Sequence, residues 1–322
     1  MSGEAAPLFS TPGAPVPAGG AAEWFAGAAG ARLRAALFPP SNGGAARGGV
    51  VLSPGRTEPI EKYFEAVGRL TAAGFHVLVH DWRGHGLSRR LGADDRGHAR
   101  GWRDFLTDYG ALIAAFESRL PHPWIALGHS MGGCLTLLAL AKGERRFAGA
   151  LLSAPMLGLN TGQVPLAAAR ALAGGLTALG LGQGLAVART PVETFENNVL
   201  THDAARYRRN NDQVLAHSEL LVGPPTWAWL DFAFQASGVL QHGAGVPAIA
   251  IPVSIVAAGD ERVVDNAATE RVAARLGNGC LTVIPGAFHE LMQETDEIQA
   301  QFWRAFDALA DRVAMAGAAA GR

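Results

Sequence analysis

Short apolar runs alternate with longer stretches of helical spacing from residue 48 onward. The apolar runs at 50–52, 76–80 and 124–127 are each followed closely by Gly, Pro or Asp. Between them, apolar residues recur over 59–73 and 101–119 at the spacing of one helix face. Apolar strands that alternate with amphipathic helices are typical of βαβ units, which place helices on both faces of a parallel sheet. The pattern therefore predicts an α/β fold with a mostly parallel central sheet.

The alternation stops after a predicted strand at 148–153 and resumes with an apolar run at 252–256. The interval is richer in Gly, Asn, Thr and aromatic residues. An insertion between two halves of one sheet is the most economical explanation. We therefore expect a mostly helical cap or lid at 157–246, inserted in a core built from 21–156 and 247–314.

Both ends of the chain have compositions that are typical of flexible segments. The start carries several prolines among Ala, Gly and Ser, and it lacks the basic and apolar regions of a secretory signal peptide. The end is rich in Ala and Gly. We therefore expect a flexible arm at 1–20 and a flexible tail at 315–322.

Composition argues against several classes of protein. Apolar residues make up 49% of the 322 residues and charged residues 17%, which suits a large core and argues against general disorder. The 27 basic and 28 acidic residues give a net charge of −1, so no positive excess indicates a nucleic-acid partner. Cys134 and Cys280 cannot form a disulfide framework and lack zinc-binding spacing. We expect a cytoplasmic protein with no metal and, since the dinucleotide and P-loop motifs are missing, no cofactor.

The sequence Gly-His-Ser-Met-Gly at 128–132 follows a predicted strand and opens a predicted helix at 131–141. In that context a G-x-S-x-G sequence is a nucleophile elbow, a sharp turn that exposes a serine hydroxyl at the N-terminus of a helix. We expect Ser130 to be the nucleophile. The backbone N–H of Met131, the next residue, would then point toward the oxyanion of a tetrahedral intermediate.

A serine nucleophile needs a general base, because its hydroxyl is almost wholly protonated at neutral pH. Proteins with such an elbow carry first the acid and then the histidine after the serine. His289 follows the predicted strand at 280–284 and fits this order better than the other histidines. Asp260 and Glu261 both follow the predicted strand at 253–257, and either carboxylate can orient an imidazole. Asp265, a few residues further on, is a third and less favoured candidate.

The second oxyanion donor normally comes from a loop after an early strand. Residues 53–58, Ser-Pro-Gly-Arg-Thr-Glu, form that loop here. Gly55 lets the backbone approach a substrate closely, and the backbone N–H of Arg56 is the expected donor. The Arg56 side chain either contacts an anionic headgroup or lies exposed in a turn. The sequence Asp-Trp-Arg-Gly-His-Gly at 81–86 has the composition of a tight turn, so we assign it to the scaffold.

Together these motifs resemble the α/β-hydrolases and, within them, the bacterial lysophospholipase and monoacylglycerol lipase group. In related sequences the triad acid directly precedes an Arg-Val-Val run, which favours Glu261 over Asp260. Pro54 stands where most monoacylglycerol lipases have histidine, and this favours the lysophospholipase side. The resemblance covers residues from about 48 to 312, and the segments that carry it are 54–58, 81–86, 128–132, 261–264 and 289–291 in the core and 198–203 and 223–229 in the cap.

The resemblance implies the α/β-hydrolase fold and hydrolysis of a carboxylic ester with one fatty acyl chain, through an acyl-enzyme intermediate. The expected partner is a small lipid ester. Residues 164–188 carry a single charge, Arg170, and are long enough to span a bilayer, but glycines interrupt them. We therefore expect an apolar cap element that touches a membrane surface transiently, in a cytoplasmic protein peripheral to the inner face.

Two other functions stay open on the sequence alone. The same triad can pass an acyl group to an alcohol instead of water, which would make the protein an acyltransferase. A non-catalytic ligand-binding protein can also use the same fold. Such a protein has no need of a triad, so the apparent triad argues against this last alternative.

Overall fold

A nine-stranded sheet forms the centre of the computed structural model, which describes residues 3–92, 94–188 and 194–320. Its strands are β1 (Glu4–Ala6), β2 (Ala21–Ala26), β3 (Arg32–Phe38), β4 (Gly48–Ser53), β5 (Phe75–His80), β6 (Trp124–His129), β7 (Phe147–Ser153), β8 (Val253–Ala258) and β9 (Gly279–Ile284). Its α-helices are α1 (Phe64–Ala72), α2 (Trp102–Phe116), α3 (Met131–Ala141), α4 (Leu166–Ala178), α5 (Ala204–Ala216), α6 (Trp227–His242), α7 (Asn266–Ala273) and α8 (Asp296–Ala320). Helices alternate with strands from β4 onward, as the hydrophobic pattern predicts, and the α/β class is confirmed.

The strand order in the sheet is β1-β2-β3-β5-β4-β6-β7-β8-β9. The strands from β5 to β9 in this order pair in parallel, so the expected mostly parallel sheet is confirmed. Ser53 at the end of β4 lies beside Gly128 near the end of β6. Because parallel strands end at the same edge of a sheet, the loops after β4, β6, β8 and β9 come together there.

The N-terminal region differs from the expected flexible arm. β1 pairs with β2, and β2 and β3 form an antiparallel extension that joins the sheet at β5. The Pro7 carbonyl accepts a hydrogen bond from Arg34 at 3.0 Å, and the Phe9 N–H donates to Glu61 at 3.3 Å. Residues 3–20 are thus attached to the core, while residues 1 and 2 of the expected arm lie outside the described residues.

The C-terminal helix is longer than the sequence indicates. α8 continues through Ala320, past the core boundary that we expected at residue 314. The remainder of the expected tail, residues 321–322, lies outside the described residues.

Two buried apolar clusters cover the two faces of the sheet. In β4, Val51 points into a cluster formed with α2, α3 and α6, whereas Val50 and Leu52 point into a cluster formed with α1 and α8. This alternation follows from the two-residue repeat of a strand and explains why the predicted strands have apolar residues at consecutive positions. The helices on both faces hold the strand ends, and therefore the loops at the shared edge, in fixed positions.

The segment between β7 and β8 contains α4, α5 and α6, in agreement with its expected helical character. α6 packs Phe232, Ala233 and Leu240 into the cluster with α2 and α3, whereas α4 buries only Ala173. The expected cap at 157–246 therefore contains one helix that contributes to the core. None of the described helices combines the length and the hydropathy needed to cross a bilayer.

Candidate active site

Ser130 lies in a sharp turn between β6 and α3. Its backbone has a positive φ of 49° with ψ at −116°, a conformation that is strained for a residue with a side chain. A Cβ atom at Gly128 would collide with Gly133, and one at Gly132 would collide with the Ser53 carbonyl. The turn therefore requires glycine at both positions, as the elbow motif predicts, and it presents the serine hydroxyl at the strand-end edge of the sheet.

Ser130, His289 and Glu261 form a continuous chain of hydrogen bonds. The distance from Ser130 Oγ to His289 Nε2 is 3.0 Å, and that from His289 Nδ1 to Glu261 Oε2 is 2.8 Å. An ionised carboxylate can only accept, so Nδ1 carries the ring proton and Nε2 keeps a lone pair for the serine hydroxyl. This is the tautomer that a general base for Ser130 requires.

The turn after β8 fixes the Glu261 carboxylate. Its second oxygen, Oε1, accepts hydrogen bonds from the backbone N–H groups of Val263 at 2.7 Å and Val264 at 3.2 Å. Burial raises the pKa of Glu261, but the hydrogen bonds from His289 and from these two N–H groups outweigh it and keep the pKa below its usual value. Asp260 is exposed, and its backbone N–H donates to the Ala287 carbonyl. The geometry thus favours Glu261 over Asp260 as the partner of His289.

The two expected oxyanion donors are the backbone N–H groups of Met131 and Arg56. Met131 is the first residue of α3, and the N–H groups of a first helical turn have no partner within the helix. Arg56 follows β4, the strand next to β6, so its loop adjoins the elbow. Neither N–H donates to another group of the described residues. Trp82 holds this loop through a 2.8 Å hydrogen bond from Nε1 to the Pro54 carbonyl.

A buried cluster of charges beneath the loop was not predicted from the sequence. The Glu58 carboxylate accepts hydrogen bonds from the Gly55 N–H, from the Tyr63 hydroxyl at 2.5 Å and from Lys62 Nζ at 2.9 Å. Lys62 also pairs with Glu290 at 2.5 Å. Burial raises the pKa of Glu58, but Lys62 and the other partners outweigh it and lower the pKa to about 2. Glu58 thus stays ionised and anchors the residue that precedes Arg56.

His129, within the elbow, lies against the catalytic candidates. Its ring centroid is 4.9 Å from that of His289, and its Nδ1 donates to the Ser153 carbonyl at 3.2 Å. Burial lowers the pKa of His129, and the neighbourhood of His289 adds to this effect although Glu58 opposes it. A neutral His129 adds no charge that would oppose protonation of His289.

The turn at 81–86 lies beside this site and makes structural contacts. Asp81 accepts hydrogen bonds from Arg34 Nε at 2.7 Å and from the Ile60 N–H at 2.9 Å. Arg83 pairs with Asp108 at 2.6 Å. These contacts fit the scaffold role expected from the sequence. Within the described ranges, His, Cys, Asp and Glu side chains do not gather in groups of three or more that could hold a metal ion.

Comparisons with known proteins identify relatives of this chain. Residues 44–296 match a protein family described as serine aminopeptidase, S33. The chain is 34% identical over 266 residues to lysophospholipase L2 of Escherichia coli strain K12, covering 78% of this chain and 76% of that protein. It is 28% identical over 283 residues to the monoacylglycerol lipase of Mycolicibacterium smegmatis, covering 85% of this chain and 91% of that protein.

Solved structures of low sequence identity share the fold. A soluble variant of monoglyceride lipase from Saccharomyces cerevisiae, in complex with a substrate analogue, matches with a TM-score of 0.73 at 20% identity and covers 96% of this chain and 99% of that one. The monoacylglycerol lipase of Paleococcus ferrophilus matches with a TM-score of 0.69 at 20% identity, over 87% of this chain and 98% of that one.

Proposed function

The chain belongs to the α/β-hydrolases, in the family described as serine aminopeptidase S33, and we propose that it is a serine carboxylic-ester hydrolase acting on lipids with a single acyl chain. The hydrogen-bonded chain from Ser130 through His289 to Glu261 is the observation that carries this proposal. The names of the two relatives, lysophospholipase L2 and monoacylglycerol lipase, support the choice of substrate class.

The acylation step follows from the positions of these groups. Ser130 Oγ attacks the acyl carbonyl carbon while His289 Nε2 takes the hydroxyl proton, and Glu261 stabilises the resulting imidazolium. The N–H groups of Met131 and Arg56 donate to the oxyanion, each contributing roughly 3 kcal/mol to stabilisation of the transition state. The intermediate then expels the alcohol, which receives its proton from His289, and the acyl group stays on Ser130.

Deacylation repeats the same proton transfers with water as the nucleophile. His289 takes a proton from water, whose oxygen attacks the acyl carbonyl. The second tetrahedral intermediate collapses, His289 returns the proton to Ser130 Oγ, and a fatty acid leaves. Glu261 orients the imidazole through both steps, so the loss of its charge slows both.

The surface of the cap supports contact with lipid aggregates. α4 and the turn that follows it expose large apolar side chains, among which Leu179 is 76% and Leu181 58% exposed. Monoacyl lipids partition into membranes and micelles, and an apolar surface on the cap would give the protein access to them. We therefore include transient membrane-surface contact through the cap in the proposal, together with a cytoplasmic location.

A fluorophosphonate probe tests the nucleophile. We expect the wild-type protein to be labelled and the Ser130→Ala variant to lose the label. Ser153→Ala is a matched control, because Ser153 is a buried serine next to the elbow, and its hydroxyl has no hydrogen-bond partner among the residues that the structure describes. Failure of the wild-type protein to label, or equal labelling of Ser130→Ala, would contradict the proposed mechanism and favour a non-catalytic protein.

Turnover against esters of one acyl chain length tests the reaction. We expect free fatty acid as the main product from lysophospholipid or monoacylglycerol in water. An added alcohol such as glycerol serves as the competing acceptor. If the acyl group is found mainly on that alcohol at low alcohol concentration, the protein is an acyltransferase and the hydrolase proposal is wrong.

A further inference from the structure

The Arg56 side chain lies where the cap meets the core. Its Nη2 atom donates to the Gly223 carbonyl at 2.6 Å, and its guanidinium carbon is 5.1 Å from the centre of the Trp229 ring. The same guanidinium lies against Gly97, whose carbonyl accepts from the Thr226 N–H. Two cap residues and a core loop therefore surround this cation, one residue beyond Gly55 in the oxyanion loop.

The guanidinium has no acidic partner among the residues that the structure describes. Within the described part of the chain, the guanidinium makes a single hydrogen bond, to the Gly223 carbonyl, and Arg56 Nε is buried without a hydrogen-bond partner. Burial without a compensating carboxylate lowers the pKa of Arg56 to about 10. Because an unpaired buried cation is costly, an anion from outside the chain would stabilise this arrangement.

Two neighbouring side chains also hold polar atoms without partners. Trp229 is 5% exposed, and its Nε1–H has no acceptor within the described ranges. His85 is 1% exposed, and its Nδ1 donates to the Arg83 carbonyl, so its Nε2 carries a lone pair, which no described residue contacts through a hydrogen bond. Burial lowers the pKa of His85 to about 4, and the nearby charge of Arg56 adds to this effect. Among the described residues, the Arg56 neighbourhood thus offers two buried donor nitrogens, Arg56 Nε and Trp229 Nε1, and one buried acceptor without partners.

We propose that Arg56 and Trp229 form a subsite for the phosphodiester of a lysophospholipid headgroup, with His85 accepting from the free glycerol hydroxyl. This inference rests on the proposed function and specifies its substrate. In arginine, a certain number of covalent bonds separates the backbone nitrogen from the guanidinium carbon. In a 1-acyl lysophospholipid, the same number of bonds separates the carbonyl carbon from the phosphorus. A carbonyl held at the Arg56 N–H therefore places the phosphate within reach of the Arg56 guanidinium.

The subsite explains a preference between two substrates with the same acyl chain. The phosphate of a lysophospholipid accepts charge-assisted hydrogen bonds from Arg56 and Trp229. A monoacylglycerol has hydroxyl groups in that position and leaves the cation unpaired. We therefore expect the protein to favour the lysophospholipid, and this preference to depend on the Arg56 side chain.

Binding of two non-hydrolysable ether lipids tests the subsite without relying on turnover. The probes are 1-O-octyl-glycero-3-phosphocholine and 1-O-octylglycerol, titrated by calorimetry at monomeric concentrations. For the wild-type protein we expect tighter binding of the phosphate lipid. Arg56→Gln should lower the affinity for the phosphate lipid about 10- to 100-fold, because a hydrogen bond to a charged group is lost. The affinity for the neutral lipid should fall much less. Arg56→Lys keeps the charge but loses the planar guanidinium, so its affinity for the phosphate lipid should lie between those of the wild-type protein and Arg56→Gln.

Two further variants guard against misfolding and general charge effects. Trp229→Phe keeps an aromatic ring and removes the N–H. It should lower the affinity for the phosphate lipid but not for the neutral lipid, and by less than Arg56→Gln does. Arg100→Gln removes an exposed arginine a few residues beyond Gly97 and should leave both affinities unchanged. Equal binding of the two ether lipids to the wild-type protein, or an equal loss for both in Arg56→Gln, would overturn the subsite. Failure of the proposed function would instead appear as absent fluorophosphonate labelling and absent ester turnover.

Discussion

At the scale of single residues, the two carboxylates that follow β8, Asp260 and Glu261, are adjacent in the sequence. Glu261 reaches His289 because the backbone turns back on itself, so that the N–H groups of Val263 and Val264 hold one carboxylate oxygen and leave the other for the imidazole. The sequence favours Asp260 and Glu261 over Asp265 as the triad acid. It cannot choose between them on physical grounds, since the choice depends on the direction of each side chain in this turn.

Replacing these two carboxylates separately tests the assignment. Glu261→Gln keeps the shape of the side chain but removes the charge that stabilises the imidazolium, so kcat should fall by roughly 10²- to 10⁴-fold. Asp260→Asn should stay within a few-fold of wild type. Steady-state hydrolysis of a soluble short-chain ester measures both. The opposite pattern, with Asp260→Asn as the weaker enzyme, would exclude Glu261 as the acid.

Glu58 allows a second test at this scale, through the pH dependence of stability. Its folded pKa of about 2 lies below the ordinary value of 4.5 because Lys62 and Tyr63 outweigh the effect of burial. A lowered carboxylate pKa stabilises the fold above the ordinary value, and this contribution is lost as the pH falls toward the folded pKa. The free energy of unfolding of the wild type should therefore exceed that of Glu58→Gln at neutral pH, with the difference shrinking between about pH 5 and pH 2.

Urea unfolding at several pH values measures this difference. Glu297→Gln is the control, because Glu297 is an exposed carboxylate in α8 and should show little difference from wild type at any pH. A difference for Glu58→Gln that does not change with pH would mean that packing, rather than ionisation, accounts for the role of Glu58.

At the scale of elements, the sequence predicts a strand or helix best where that element is buried most completely. The strands β4 to β9 and their helices are predictable because a parallel sheet buried on both faces leaves continuous apolar runs between amphipathic helices. β2 and β3 pair in antiparallel fashion, and Glu23 in β2 and Arg32 and Arg34 in β3 interrupt their apolar residues, so they do not show the pattern of a strand buried on both faces. The hydrophobic pattern of the sequence also does not predict where α6 packs, because its packing on α2 and α3 is a tertiary contact between distant segments.

The exposed apolar end of α4 yields a prediction at this scale. Leu179→Gln with Leu181→Gln should weaken sedimentation with phosphatidylcholine vesicles several-fold, because two apolar side chains no longer enter the lipid surface. Leu215→Gln in α5 is the matched control, since Leu215 is 73% exposed on a different helix. Hydrolysis of a soluble short-chain ester should be unchanged in both variants. Equal vesicle binding by the double variant and wild type would rule out this surface as the contact.

At the scale of the whole molecule, one buried arginine joins the N-terminal strands to the core. Arg34 in β3 donates to Asp81 at 2.7 Å and to both oxygens of Glu61 at 2.7 and 2.8 Å, and all three side chains are fully buried. Asp81 begins the turn beside the oxyanion loop, and Glu61 also accepts the Phe9 N–H. The network thus connects the antiparallel extension, the parallel sheet and the loop near the active site.

Removal of this arginine should destabilise the whole fold rather than a single strand. Arg34→Met leaves two buried carboxylates without their cation, which costs about 3–5 kcal/mol in the free energy of unfolding. Arg32→Met is the matched control in the same strand: its ion pair with Glu4 is about half exposed, and such surface pairs contribute about 1 kcal/mol or less. Urea unfolding followed by tryptophan fluorescence measures both. Similar losses in the two variants would show that the buried network does not hold the extension to the core, and that the apolar packing of β2 and β3 does so instead.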